Sequence, residues 1–104
     1  MFFNKKDEER GRFLVYTEKV RKLSEKNFRQ GGIPNQEMRK QGWHLDHMVS
    51  IKECYMNELP VDMAADPLNL QVVPPKYNLQ KGARSTMTVG ELIEEITERD
   101  DLMF

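Results

Sequence analysis

The chain has 104 residues, of which 38% are hydrophobic and 32% are charged, and its formal net charge is −1. This length is enough for one domain with a single modest core, and the longest apolar runs, such as residues 13–16, are too short to cross a bilayer. The single cysteine, Cys54, excludes an internal disulfide and a cysteine-rich zinc cluster, and we expect it to be a small buried residue.

Charge is distributed unevenly along the chain. Residues 1–42 hold eleven Lys or Arg and six Asp or Glu, which gives +5, and the remaining residues carry −6. A basic half suits a protein that meets a polyanion with one face, but a solvated helix with mixed charges explains the same composition equally well. The first residues lack the long apolar core of a signal peptide, so we expect a cytoplasmic protein without a membrane partner.

The first predicted element is a long amphipathic helix from about Asp7 to Gln30. Its apolar residues recur at spacings of three and four, which places them on one face. They are Phe13, Tyr16, Val20 and Leu23, and the basic residues of the other side are Arg12, Lys19, Lys22, Lys26 and Arg29. The apolar stripe predicts packing against the core, and contact of the basic side with phosphate is a separate hypothesis.

A short helix and a strand follow. Asn35 can cap a helix that runs to about Lys40. The alternating pattern of residues 43–49, with their β-branched and aromatic side chains, then indicates a strand. We assign Trp43, and Tyr77 further along the chain, to the core, because such aromatic residues are more often core residues than platforms for bases.

A long connection leads to the second predicted strand. Ser50 and Glu53 have the spacing of a capping box, which predicts a short helix to about Asn57. Pro60 ends this helix. Residues 67–73 are the second strand candidate, and two prolines close it.

Two helices complete the predicted order of elements. A proline at the first helical position, Pro75, can open a helix over Lys76–Arg84. Thr88 and Glu91 form another capping box, so the last helix runs to about Arg99 with its glutamates facing water.

Several polar residues of the middle segment have the chemistry needed to hydrolyse a phosphodiester, which requires a base for water, a cation for the phosphate and donors that hold the backbone. His47 suits the base, because an imidazole with a pKa of about 6.5 is largely neutral at pH 7. Asp46 and Asn78 offer hard oxygen ligands for Mg²⁺ or Mn²⁺. Helical spacing places Lys81 and Arg84 on the face of Asn78, where they could contact phosphate.

Each of these residues also has a structural interpretation. His47 could hydrogen-bond a strand end, and Lys81 and Arg84 could be solvated helix charges. His44 falls on the same strand face as Asp46, so it is a weaker candidate metal ligand, and a structural histidine is at least as good an interpretation.

Four short segments occur in a characteristic order, namely His44-Leu45-Asp46-His47, Ser50-Ile51, Asn69-Leu70-Gln71, and Asn78 with Lys81. In this order they resemble the HNH endonuclease family, particularly its small phage-encoded and homing-type members. The resemblance covers about residues 43–84, somewhat under half of the chain, and depends on order and spacing more than on any single residue.

The resemblance implies a role for each matching position. His47 would be the general base, and Asp46 and Asn78 would bind one metal ion. Asn69 would hold the hairpin loop and steady the base. The chain lacks the paired Cys-x-x-Cys zinc knuckles of many relatives, its connection is longer than in minimal members, and its last ligand position is Asn, which favours Mg²⁺ or Mn²⁺.

We therefore predict a single α+β domain. It would combine a helical part at 1–42, a ββα-metal (HNH or His-Me finger) hairpin-helix core at 43–84, and a C-terminal helix at 85–104. The predicted function is a metal-dependent DNA endonuclease that, as the resemblance implies, leaves 5′-phosphate and 3′-hydroxyl ends.

The partners and the alternatives follow from this prediction. The expected substrate is duplex, nicked or branched DNA. A second copy of the chain or a phage protein is an expected partner, and a phage-encoded protein would act in the host cell cytoplasm. The alternatives are a structure-selective or RNA-directed nuclease, and a non-catalytic DNA-binding or packaging accessory module with a vestigial HNH site.

Overall fold

The computed structural model describes residues 4–103 and combines helices with a two-stranded antiparallel sheet, as the predicted α+β class requires. Within these residues, no helix is both long and apolar enough to cross a membrane. In chain order the elements are α1 (Lys5–Arg29), a 3₁₀ helix (Gln36–Gln41), β1 (His44–His47), α2 (Ile51–Met56), α3 (Val61–Ala64), a second 3₁₀ helix (Pro67–Asn69), β2 (Leu70–Val73), α4 (Pro75–Lys81) and α5 (Val89–Met103).

The helix α1 is the longest of these elements. Its first turn is capped by Asn4, whose side-chain oxygen accepts a hydrogen bond from the Asp7 amide at 2.9 Å. After its last residue the chain reaches Gly31 with a φ of +92°, a conformation that favours glycine. The predicted apolar stripe is confirmed, because Val20 is fully buried and Tyr16 packs against the main core.

The two strands pair in antiparallel register, with Asp46 opposite Gln71 and His47 opposite Leu70. Successive residues of a strand point to opposite faces, so the sheet has two distinct sides. One side carries Leu45, which packs with Leu70, Val72 and Phe28 of α1 in a small apolar cluster. The other side carries Asp46, whose hydrogen bond to Lys81 directs this side toward α4.

The main core lies between α1, α2, α3 and α5. Its buried residues are Val20, Val49, Cys54, Leu59, Ala64, Ala65, Leu92 and Ile96. Burial of these side chains supplies the main driving force that holds the helices around the connection between the strands. Cys54 is buried there as expected.

Of the two predicted capping boxes, the second is complete, and the first makes only one of its two hydrogen bonds. The Ser50 hydroxyl accepts from the Glu53 amide at 3.1 Å, whereas the Glu53 carboxylate accepts a hydrogen bond from Ser85 instead of closing the box. The second box is reciprocal, because the Thr88 hydroxyl accepts from the Glu91 amide at 3.0 Å and the Glu91 carboxylate accepts from the Thr88 amide at 3.3 Å. The helix that follows, α5, continues to Met103, four residues beyond the predicted end.

Four details differ from the expectations. Asn35 has a φ of 60° and makes no side-chain cap, so the short helix after it forms without one. The second strand begins at Leu70, because Asp66 accepts a hydrogen bond from the Leu68 amide at 2.9 Å and turns the preceding residues into a 3₁₀ helix. The short helix α3 was not predicted. Tyr77 is 39% exposed and does not belong to the core.

Candidate functional site

A cleft of about 720 Å³ opens between α1, the end of β1, the start of α2 and the end of α4. Its polar lining comes from these four elements, from the first 3₁₀ helix and from the residue that precedes α2. The residues are Thr17, Arg21, Ser24 and Glu25 of α1, Arg39 of the first 3₁₀ helix, Asp46 and His47 of β1, Ser50 before α2, Lys52 of α2, and Lys81 of α4. The cleft thus contains the candidate base, one candidate metal ligand and Lys81 together.

His47 is a largely buried imidazole at the end of β1. Its Nε2 atom lies 2.8 Å from the Ser24 hydroxyl oxygen. The pKa of His47 is lowered to about 4, mainly by burial; the charge of Asp46 opposes this shift, and the charge of Lys81 adds to it. His47 is therefore neutral at pH 7, which is the protonation state that a general base needs.

Asp46 is 6% exposed and has a hydrogen-bond donor at each carboxylate oxygen. Lys81 Nζ donates to Oδ1 at 3.1 Å, and Gln71 Nε2 donates to Oδ2 at 3.0 Å. Lys81 Nζ also donates to the backbone oxygen of His47 at 3.0 Å. A buried carboxylate is costly without a counter-charge, and the Lys81 ammonium supplies one.

Lys81 is more buried than the sequence suggested, and its contact with phosphate stays a prediction. We expected this side chain to face phosphate, but it is buried, with a side-chain exposure of 5%, and it pairs with Asp46. Lys81 also helps to line the cleft, and this is where it can contact a ligand. Its main role in the structure is to neutralise Asp46 and to hold the end of β1 through the His47 carbonyl.

Arg84 also lies elsewhere than expected. The helix α4 ends at Lys81, since Gly82 has a φ of 57°, so the helical spacing that would place Arg84 on the face of Asn78 does not extend that far. The Arg84 guanidinium instead donates to the backbone oxygens of Lys81 and Gln80, and caps the end of α4.

Asn78 and His44 meet on the α4 side of the sheet. Asn78 Nδ2 lies 3.1 Å from His44 Nδ1, and His44 shares a strand face with Asp46. The structure therefore brings His44 and Asn78 into contact, on the same side of the sheet as the Asp46 carboxylate.

The donor chemistry of this side fits a hard divalent cation. Asp46 and Asn78 offer carboxylate and amide oxygens, and an oxygen that accepts one hydrogen bond retains a second lone pair. Residues 4–103 contain no group of three or more His, Cys, Asp or Glu placed to hold a metal. A bound Mg²⁺ would therefore take most of its ligands from water and phosphate, as Mg²⁺ commonly does, and it would have to share Asp46 with Lys81 or displace it.

Asn69 is fully buried and bonds to the chain just after His47. Its side-chain oxygen accepts from the Val49 amide at 2.7 Å, and its side-chain nitrogen donates to the backbone oxygens of Val49 at 3.1 Å and Ala64 at 2.9 Å. Its backbone oxygen accepts from the Met48 amide at 2.9 Å. Asn69 thus fixes the backbone that follows His47. Within the described residues, the hydrogen-bond partners of its side chain are all main-chain groups.

Sequence reasoning missed the contribution of α1 to the cleft. Arg21 and Lys52 line it, and neither forms a salt bridge within residues 4–103. None of the five basic residues predicted for the other side of α1 lines the cleft. Ser24 offered a signal, because it lies four residues after Val20 and so places a polar side chain within the apolar stripe.

The cleft therefore combines a neutral imidazole, a neutralised carboxylate and two cations without an ionic partner among the described residues. No protein-family model, curated protein or solved structure matches this chain. The interpretation of the cleft rests on its own geometry and chemistry.

Proposed function

We propose that this chain is a metal-dependent endonuclease of the HNH type, in which β1, β2 and α4 form a ββα-metal unit. The observation that carries the proposal is the juxtaposition of a neutral His47 with the Asp46 carboxylate in one cleft, with Asn78 on the same side of the sheet as Asp46. His47 is the general base, and Asp46 and Asn78 hold one Mg²⁺ or Mn²⁺.

The proposed reaction is hydrolysis of a phosphodiester by water. The neutral ring of His47 accepts a proton from water as the water oxygen forms a bond to phosphorus, and the bond between phosphorus and the leaving oxygen breaks. A bound metal ion would supply positive charge for the phosphate and the leaving oxygen. The carbonyl of His47, bonded to Lys81, keeps the base fixed at the end of β1 during this step.

The charge of the cleft favours a polyanionic substrate, although the whole chain carries a net charge of −1. Four cations and two carboxylates line it, so its formal charge is +2. Arg21 and Lys52 are free of salt bridges within the described range, and they are the proposed contacts to the nucleic-acid backbone. Such contacts position a strand without reading its sequence.

A non-catalytic DNA-binding module is a second candidate that one observation favours. The Lys81 ammonium occupies an oxygen of Asp46 and so competes with a metal ion for the same carboxylate. If this pair never opens to a metal, the cleft would bind nucleic acid without cutting it.

Incubation of supercoiled plasmid with the wild-type chain in EDTA, Mg²⁺ or Mn²⁺ tests the proposal and separates it from this alternative. We expect nicking in Mg²⁺ or Mn²⁺ and none in EDTA. Asn78→Ala, which changes a side chain near the surface, should need more metal for the same rate. Salt-sensitive DNA binding without cleavage in any metal would contradict the nuclease and support the binding module.

The choice of substrate is a separate question. Linear duplex, nicked duplex, branched DNA and RNA of matched length, each cut in parallel, distinguish a general DNA endonuclease from a structure-selective or RNA-directed one. We expect DNA to be cut, and preferential cutting of branched DNA or RNA would replace the general assignment with the corresponding alternative.

A further inference from the structure

The ion pair between Lys81 and Asp46 is the most buried salt bridge among residues 4–103. Its side chains are 5% and 6% exposed, whereas every other pair in this range has at least one side chain that is 36% exposed or more. Buried charges are screened little, and each is costly without the other. Whatever replaces one partner of this pair therefore has a strong effect on the other.

Lys81 approaches the carboxylate from α4, the helix that also carries Asn78. The two residues are three positions apart in this helix, so they share a face. Lys81 Nζ lies 3.1 Å from Oδ1 of Asp46, while Gln71 of the paired strand holds Oδ2 at 3.0 Å. A metal ion shared by Asp46 and Asn78 would lie on the α4 side of the carboxylate, which is the side that Lys81 occupies.

A metal ion and the ammonium of Lys81 would therefore compete for this side of Asp46. A divalent ion repels the ammonium at close range and takes over the neutralisation of the carboxylate. An ammonium that loses its counter-charge in the interior is costly, and the flexible four-carbon stem of lysine allows it to move. Lys81 helps to line the cleft, together with Arg21 and Lys52, so the cleft is where its ammonium can reach water or phosphate.

We propose that Lys81 is a displaceable counter-ion of Asp46, whose ammonium leaves the carboxylate when a divalent metal ion binds there and moves into the cleft, where it contacts a phosphate of the nucleic acid. The metal ion and the phosphate of this exchange rest on the proposed function. The exchange adds a form of regulation, because one side chain then couples metal binding to substrate binding.

Mn²⁺ binding measures the competition without any nuclease activity. Electron paramagnetic resonance counts free Mn²⁺ in titrations of the wild type and of Lys81→Met, which removes the charge and keeps an unbranched apolar side chain. Because the competing charge is lost next to the carboxylate, we expect Lys81→Met to bind Mn²⁺ at least about 10-fold more tightly. Asp46→Asn should lose this binding, which would locate the ion at Asp46.

Lys76→Met is the matched control, because it removes the same charge from an exposed position of the same helix. Its affinity for Mn²⁺ should stay within about twofold of the wild type, since exposed charges are largely screened. Backbone amide spectra verify that each variant is folded. An unchanged affinity in folded Lys81→Met, or no Mn²⁺ binding by either Lys81→Met or the wild type, would overturn the proposal.

The wild type itself provides a second test, which does not depend on the folding of a variant. A buried, hydrogen-bonded lysine ammonium exchanges its protons slowly, so ¹H–¹⁵N correlation spectra of lysine side chains at low temperature can detect it. We expect one such signal, from Lys81, and expect it to disappear at Mg²⁺ concentrations that displace Mn²⁺ from the chain. A signal that stays unchanged at these concentrations would overturn the proposal.

The contact with phosphate is tested by the salt dependence of DNA binding in the His47→Ala background, in which hydrolysis should be blocked. In Mg²⁺, the added change Lys81→Met should decrease the slope of log K against log salt by about one unit, because one phosphate contact is lost. In EDTA, where Lys81 stays paired with Asp46, the slope should not change. Equal slopes in Mg²⁺ would contradict the movement of Lys81 to phosphate.

The outcomes separate this proposal from the nuclease assignment. Loss of the Lys81 signal in Mg²⁺ without nicking of plasmid would support the displaceable counter-ion and count against the nuclease alone. Nicking in Mg²⁺ with an unchanged Lys81 signal would overturn the counter-ion and leave the nuclease assignment intact.

Discussion

Asn69 shows at the scale of one residue how a buried amide holds the segment after the candidate base. Asn69→Ala would leave the Val49 amide and the backbone oxygens of Val49 and Ala64 without their side-chain partner in the interior. Buried polar groups without a partner cost about 1–3 kcal/mol each, so we expect the free energy of unfolding to fall by at least about 3 kcal/mol. Urea denaturation measures this change.

Asn57→Ala is the control for this prediction. The Asn57 side chain donates one hydrogen bond, to the Glu53 backbone oxygen at 2.8 Å, but it is exposed and water can replace it. We expect a change within about 0.5 kcal/mol. Equal stability of the two variants would show that Asn69 does not hold the connection.

The low pKa of His47 predicts how stability depends on pH. Its pKa is about 4 in the folded chain because of burial, against an ordinary value of 6.5. Between these values the unfolded chain binds a proton that the folded chain does not, so the free energy of unfolding falls as the pH decreases from about 6.5 to 4. The full loss is on the order of 3 kcal/mol, and above pH 7 this contribution is constant.

Urea denaturation at several pH values tests this dependence. His47→Gln should lose the contribution and have a flatter profile between pH 6.5 and 4. His44→Gln, which changes an exposed histidine, should keep the wild-type profile. Identical slopes for the wild type and His47→Gln would contradict a buried neutral imidazole.

The docking of α5 can be tested at the scale of one element. Arg99 donates to both carboxylate oxygens of Asp66, at 2.8 and 2.9 Å, and Asp66 also caps the 3₁₀ helix before β2. This pair thus joins the last helix to the segment that leads into the sheet. Because Arg99 is partly exposed, we expect Arg99→Met to lower the free energy of unfolding by only about 1 kcal/mol.

Thermal and urea denaturation measure this loss, and Glu98→Gln is the neighbouring control on the exposed side of α5. We expect the control to unfold like the wild type. A variant Arg99→Met as stable as Glu98→Gln would mean that the ion pair does not contribute to docking.

The regular elements could be predicted from the sequence, and the irregular ones could not. The apolar stripe of α1 and the reciprocal box at Thr88 are local patterns, so they predict helices whatever the tertiary context. The 3₁₀ helix Pro67–Asn69 forms because the Asp66 side chain competes for the Leu68 amide, which a strand pattern cannot reveal. The helix α3 is four residues long, too short to show a periodicity.

At the scale of the whole molecule, the sequence predicted the candidate site in part. Asp46 and His47 are neighbours in the chain, so they lie close together whatever the fold. The position of Ser24 within the apolar stripe of α1 signals that it is buried, but its contact with His47 joins two elements distant in the chain, and nothing local in the sequence specifies that partner. The pairing of Lys81 with Asp46 was missed for the same reason, because burial of the carboxylate is a tertiary property.

The cleft predicts how DNA binding depends on salt. Arg21→Ala removes one cation from the cleft, so binding should weaken similarly for all DNA sequences, and the slope of log K against log salt should decrease by about one unit. Fluorescence anisotropy with a labelled duplex at several salt concentrations measures the slope. Arg12→Ala is the control, since Arg12 pairs with Glu9 at 3.4 Å and does not line this cleft.

If Arg12→Ala reduced the slope of log K against log salt as much as Arg21→Ala does, this result would contradict the cleft as the binding surface. The positive potential would then belong to α1 as a whole. Sequence-dependent changes in affinity for Arg21→Ala would contradict a phosphate contact, because such contacts carry no sequence information.

The most direct test of the account is the rate at which supercoiled plasmid is nicked in Mg²⁺ by the wild type, His47→Ala and Thr17→Ala at equal concentration. Removal of a general base typically costs about 10²- to 10⁴-fold, so His47→Ala should nick the plasmid at least 100-fold more slowly while it remains folded and binds DNA. Thr17→Ala, which alters the same cleft, should nick at nearly the wild-type rate. Equal nicking by folded His47→Ala and the wild type would contradict the assignment of His47 as the base.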